Sequence, residues 1–222
     1  MDKKDICEKI VVTCLAATTT IAQVEEVCEE ARKMGFPKVC VPPLFIKKAK
    51  EFLGGAEVAV STVIGFPLGY SAVEAKLAEI VLAILDGVDE VDVMCNLAAL
   101  KNNDWQYLAQ ELNAIMPVVK GKGKIFKIII ETGDLTESEM IKCCDLYGIS
   151  GIDYLVSATG FSARGSSRND IQLLRSHLAN AVKIIAGGHI DNCMFAMDLL
   201  KEGADMLATQ HASELVKDCG KS

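Results

Sequence analysis

Aromatic side chains make up only 5% of this 222-residue sequence, although half of its residues are hydrophobic. A core poor in rings must be built from Val, Ile, Leu and Ala, as in a sheet covered by helices, and that much apolar residue excludes a disordered chain. No run approaches the roughly 20 apolar residues a membrane-crossing helix needs. The charged start Met1-Asp2-Lys3-Lys4-Asp5, running into a short strand, is unlike a secretory signal, so a soluble, cytoplasmic protein is expected. Positive charge is also scarce: 23 Lys and Arg face 30 Asp and Glu, for a net charge of −7. Scattered in this way, the basic residues form no footprint for nucleic acid or an anionic membrane, and any bound anion must be held locally. Nine cysteines are present but no C-x-x-C pair. Cys7, Cys14, Cys28, Cys40, Cys95, Cys193 and Cys219 stand alone and Cys143 and Cys144 are adjacent, which suits small, reduced core residues better than disulfides or zinc. Neither metal nor cofactor is expected. Linkers, low-complexity segments and long internal repeats are absent too, so residues 1–222 read as one domain.

What the sequence does contain is an alternation, sustained from end to end, of short Val- and Ile-rich runs with amphipathic stretches of helical period. Eight strands are predicted: 10–13, 38–41, 58–63, 90–95, 125–131, 152–156, 182–186 and 206–209. Helices are predicted at 22–33, 71–85, 104–118, 137–147, 169–178, 192–201 and 213–218. Thr20, Ser71, Asn103 or Asp104, Thr136, Arg168 or Asn169, and Asp191 or Asn192 stand near the starts of the first six. Eight βα units in series without a linker favour a closed (β/α)₈ TIM barrel, which commonly takes about 200 to 250 residues, over an open doubly wound sheet.

In such a barrel the reactive groups sit at the carboxyl ends of the strands. Read there in order, the sequence gives Thr62-Val63-Ile64-Gly65-Phe66-Pro67-Leu68-Gly69, then Asp89-Glu90-Val91-Asp92, then Ile128-Ile129-Ile130-Glu131-Thr132-Gly133-Asp134-Leu135, then Ala158-Thr159-Gly160-Phe161, then Gly187-Gly188. Gly35-Phe36 followed by Val39-Cys40-Val41 precedes them. In this order and spacing, from about Ile10 to Leu207, the sequence resembles the 2-deoxyribose-5-phosphate aldolases. The resemblance implies a class I aldolase, in which a lysine amine forms a Schiff base with an aldehyde. It implies 2-deoxyribose 5-phosphate, glyceraldehyde 3-phosphate and acetaldehyde as substrates, and possible dimers.

The sequence departs from that pattern where the chemistry would be. Val156 falls on the Schiff-base lysine and Ile184 on the second lysine. Val11 takes the place of an aspartate, and Gln210-His211 that of a Ser-Ser phosphate clamp. Lys183 adjoins Ile184, but alternation along a strand aims it at the helix layer unless a bulge intervenes. Asp92 matches the proton-relay aspartate and Lys127 a lysine of strand five, on the same face as Ile129 and Glu131. Either Lys127 and Asp92 belong to a buried ion network or they keep a catalytic role, with Lys127 or Lys183 as substitute nucleophile. Gly160, Gly187 and Gly188, with Ser162 and neighbouring Arg164, Ser166 and Ser167, could form an anion site. His189 and His211 share that end, His177 lies on a helix, and Cys40 and Cys95 read as packing residues. The sequence therefore suggests an aldolase relative that has lost the standard activity and binds a phosphorylated sugar or aldehyde. An active lyase using another lysine, or a regulatory partner paired with an active homologue, are the alternatives.

Overall fold

The structure is a computed structural model describing residues 3–220; Met1 and Asp2, part of the charged start, lie outside the described residues. Eight parallel strands close into a barrel in sequence order: β1 (Ile10–Thr13), β2 (Lys38–Val41), β3 (Ala59–Ile64), β4 (Glu90–Met94), β5 (Ile125–Ile129), β6 (Tyr154–Val156), β7 (Lys183–Gly187) and β8 (Met206–Thr209), with β8 pairing back to β1. The expected TIM barrel is thus what forms. Its strands are buried on both faces, which is why they read as continuous apolar runs.

Helices α2 (Ile21–Met34), α4 (Val73–Leu85), α6 (Trp105–Lys120), α7 (Glu137–Gly148), α8 (Arg168–His177), α9 (Cys193–Lys201) and α10 (Ala212–Cys219) match the seven periodic stretches. Three helices escaped the sequence reading: α1 (Lys3–Cys7), α3 (Ile46–Leu53) and α5 (Leu97–Lys101). For α3 the signal was there, since Ile46, Ala49 and Leu53 are its buried stripe, but eight residues give little period to read. Thr20, Asp104, Thr136 and Asn192 cap as expected. Two expectations fail: α8 is capped by Ser167, whose hydroxyl accepts from the Asp170 amide, and α4 starts after Ala72 with no side-chain cap.

One expectation about cysteine is overturned. Cys193 and Cys219, which stand alone in sequence, are joined by a disulfide, their Cα atoms 5.0 Å apart. Asp218 also accepts a hydrogen bond from the Cys193 amide, so the end of α10 is fastened to the start of α9. Sequence spacing could not foresee this, because the pairing depends on how two helices cross. Cys14, Cys28, Cys40, Cys95, Cys143 and Cys144 are free thiols, all but Cys14 buried. None of the described helices is long and apolar enough to cross a membrane.

Candidate functional site

At the carboxyl end of the barrel lies a cavity of about 350 Å³. Every strand contributes to it: Val11, Cys40, Val63, Asp92, Ile129, Val156, Ile185 and Ala208, from β1 to β8 in turn. Seven of these eight side chains are uncharged. The rim carries Thr13, Phe66, Thr159, Gly160, Phe161, Gly188, His189, Asp191, Gln210 and His211.

Two residues earlier on each strand the interior changes character, because that step returns to the same side of the sheet. There stand Lys9, Lys38, Ser61, Glu90, Lys127, Tyr154, Lys183 and Met206. Lys127 is fully buried and its ammonium lies 2.7 Å from Glu90 and 3.0 Å from Asp92, and donates to Ser61 Oγ at 3.1 Å. Ser61 donates in turn to Asp92 at 2.5 Å, and Lys38 reaches Glu90 at 2.6 Å. Burial alone would favour a neutral Lys127 amine, but Asp92 and Glu90 outweigh it and hold the group above the ordinary lysine range. Burial would likewise push Glu90 up, yet Lys127 and Lys38 bring it below the usual carboxylate range. Lys127 is not among the residues lining the cavity.

Ile184, which the family pattern matches to the second lysine, does not line the cavity. The β7 residue that faces the cavity beside Val156 is Ile185, its register partner on the neighbouring strand; Ile184 is buried behind it. Lys183 therefore points to the interior side and not to the helix layer, but at the opposite mouth, where its ammonium lies 5.7 Å from the centre of the Tyr154 ring.

Glu131 also departs from expectation. β5 ends at Ile129, and Glu131 adopts a left-handed backbone with φ 52°, so its carboxylate leaves the face of Lys127. It accepts from the Thr159 amide at 3.0 Å and from the Thr159 hydroxyl, while its Oε1 is buried without a partner. Burial pushes this carboxyl above its ordinary value. Glu131 thereby pins the β6 loop at the cavity rim, and strain of this kind collects around ligand sites.

Of the residues expected to hold an anion, Gly160, Gly187 and Gly188 line the cavity and Ser162 does not. Gly160 and Gly188 have φ of 82° and 77°, and a Cβ on Gly188 would come 2.9 Å from Gly165 Cα, so only glycine allows this close approach. The Gly187 amide is already taken by the Ser157 and Ser166 hydroxyls, which also bond each other. Ser162 donates to Asp134, and Arg164 is paired with Asp170 at 2.5 Å. His189 and His211 both reach the rim, His189 through a left-handed backbone with Nε2 3.1 Å from the Ser162 carbonyl, whereas His177 is exposed on α8. No group of three or more metal-ligating side chains comes together among the described residues. Cys40 faces the cavity, contrary to a pure packing role, but burial pushes its thiol well up and away from a reactive thiolate. Cys95 is simply buried.

These features define a (β/α)₈ barrel with a ligand-sized cavity at the carboxyl ends of its strands. No family model matches the chain. It is, however, 36% identical to the deoxyribose-phosphate aldolase of Caldicellulosiruptor saccharolyticus over 98% of its own length and all of the relative's. It is 34% identical to that of Aciduliprofundum boonei over 98% of both. Among solved structures, an aldolase named QR15 superposes with a TM-score of 0.91 at 29% identity, covering 98% of this chain and 96% of the other. The deoxyribose phosphate aldolase of Aeropyrum pernix, described as a unique tetramer, gives 0.90 at 25%, covering 97% and 91%. The chain belongs to the deoxyribose-phosphate aldolase family.

Proposed function

We propose that this family member binds a phosphorylated or aldehydic ligand in the barrel cavity without forming the imine of a class I aldolase. The observation that carries this reading is Val156: it occupies the cavity wall where the family pattern places the Schiff-base lysine, and no lysine lines the cavity. An imine requires an amine with a free lone pair within reach of the carbonyl. Lys127, the substitute considered from sequence, is held protonated between two carboxylates below the cavity, which supports a structural role. Lys183 opens to the other mouth. The free backbone of Gly160 and Gly188, with His189 and His211 alongside, favours an anionic group at the rim.

The relatives' name favours a second reading, an active aldolase. Retro-aldol cleavage of 2-deoxyribose 5-phosphate, assayed for the wild type, Val156→Lys and Lys127→Ala, separates the two. The proposal expects no turnover in the wild type and partial activity in Val156→Lys. Any wild-type turnover would overturn it, and its loss in Lys127→Ala with the fold retained by circular dichroism would assign the imine to Lys127.

A further inference from the structure

The cavity wall suits a different ligand body from a sugar. Val11, Val63, Ile129, Val156 and Ile185 surround it with branched aliphatic groups, and Asp92 is its one charged contribution from a strand. Asp92 spends a single oxygen, Oδ1, on both Ser61 and Lys127. Oδ2 remains for one donor from the cavity. Thr13, Thr159, His189, Gln210 and His211, which can also hydrogen-bond, stand at the rim, so hydroxyls on a ligand body seated below it would face hydrocarbon, and each unpartnered hydroxyl forfeits roughly five- to 150-fold in affinity. An aliphatic chain gains instead, by about fourfold for each methylene it buries. A volume of about 350 Å³ lies at the small end of ligand pockets, which matches a short chain.

We infer that the cavity takes a ligand with a short aliphatic body and at most one hydrogen-bond donor at its inner end, received by Asp92. This rests on the cavity being the ligand site, as proposed above, and replaces the hydroxylated sugar with an apolar chain as the preferred occupant.

Calorimetric titration of the purified protein with inorganic phosphate, ethyl, butyl and hexyl phosphate, 1-butanol, 1-hexanol and 2-deoxyribose 5-phosphate tests it. Affinity should climb from ethyl to butyl phosphate by about fourfold per methylene, and butyl phosphate should bind more tightly than 2-deoxyribose 5-phosphate. Val156→Thr, which exchanges one methyl for a hydroxyl, should weaken hexyl phosphate several-fold with the fold retained by circular dichroism. Affinity independent of chain length, tighter binding of 2-deoxyribose 5-phosphate than of butyl phosphate, or undiminished hexyl phosphate binding by Val156→Thr would each overturn the inference. If the alcohols show the same gain with length and phosphate adds nothing, the aliphatic inference holds and the anionic rim fails. Binding of inorganic phosphate without any gain from chain length is the reverse result.

Discussion

The two ends of the barrel interior were built from the same strands under the same alternation, yet they solve opposite problems. Toward the amino ends, five of the eight inward positions carry charges: Lys9, Lys38, Glu90, Lys127 and Lys183. Toward the carboxyl ends there is one, Asp92. In the lower set Lys38 and Lys127 pair with Glu90, and Lys38, Lys127 and Lys183 stand around the Tyr154 ring, Lys38 4.5 Å from its centre. The upper set is apolar and hollow. Charge in this barrel therefore ties β2, β4 and β5 together toward their amino ends and is sparse around the cavity at their carboxyl ends.

Breaking the lower end should have the largest effect. Lys127→Ala leaves Glu90 and Asp92 buried without their shared counter-ion and should cost about 3–5 kcal/mol in denaturant unfolding. A loss below 1 kcal/mol would show the network to be dispensable. Putting charge into the upper end should cost less, because the cavity opens to water. Val156→Lys should lose about 1–3 kcal/mol and yield an amine that acetaldehyde and borohydride label, with no label at that strand in the wild type.

Protonation offers a finer comparison. Glu90, held low, contributes stability above the ordinary carboxylate value of 4.5 that is lost as pH falls through its folded value. Glu131, pushed up, has the opposite sign: its contribution is full below 4.5 and is lost as pH rises through its folded value. Glu131→Gln should remove that decline, so that its unfolding midpoint relative to wild type improves from acid to neutral pH. An unchanged difference across that range would refute the assignment. The smallest effect is expected from Tyr154→Phe. It keeps the ring near three ammoniums and deletes only a 3.4 Å contact with Lys38, so a loss of about 0.5–1 kcal/mol is expected on unfolding.

The barrel itself was legible because repeated βα units announce themselves through period and composition, and strands buried on both faces keep their runs of Val and Ile. Val156 and Asp92 were legible as cavity residues through the motifs around them. What could not be read were features set by a single dihedral angle or a long-range approach. Counting back from Gly187 chose Ile184, but the pleat turns Ile185 inward. The reading that put Glu131 with Lys127 assumed a strand two residues longer than the one that forms, and a left-handed residue reverses the side-chain direction. Ser162 and Gly187 looked like free donors in sequence and are spent on Asp134 and on the Ser157–Ser166 pair. Spending of that kind is visible only once distant loops meet.

The Cys193–Cys219 disulfide has a topological consequence as well. It closes a covalent ring that contains α9, all of β8 and α10, and β8 is the strand that seals the barrel against β1. A protease that cuts once within that ring, in the loop between β8 and α10 for example, leaves the chain in one piece. The cut becomes visible as separate fragments only after reduction, because α10, severed from β8, stays tied to the start of α9 through the disulfide.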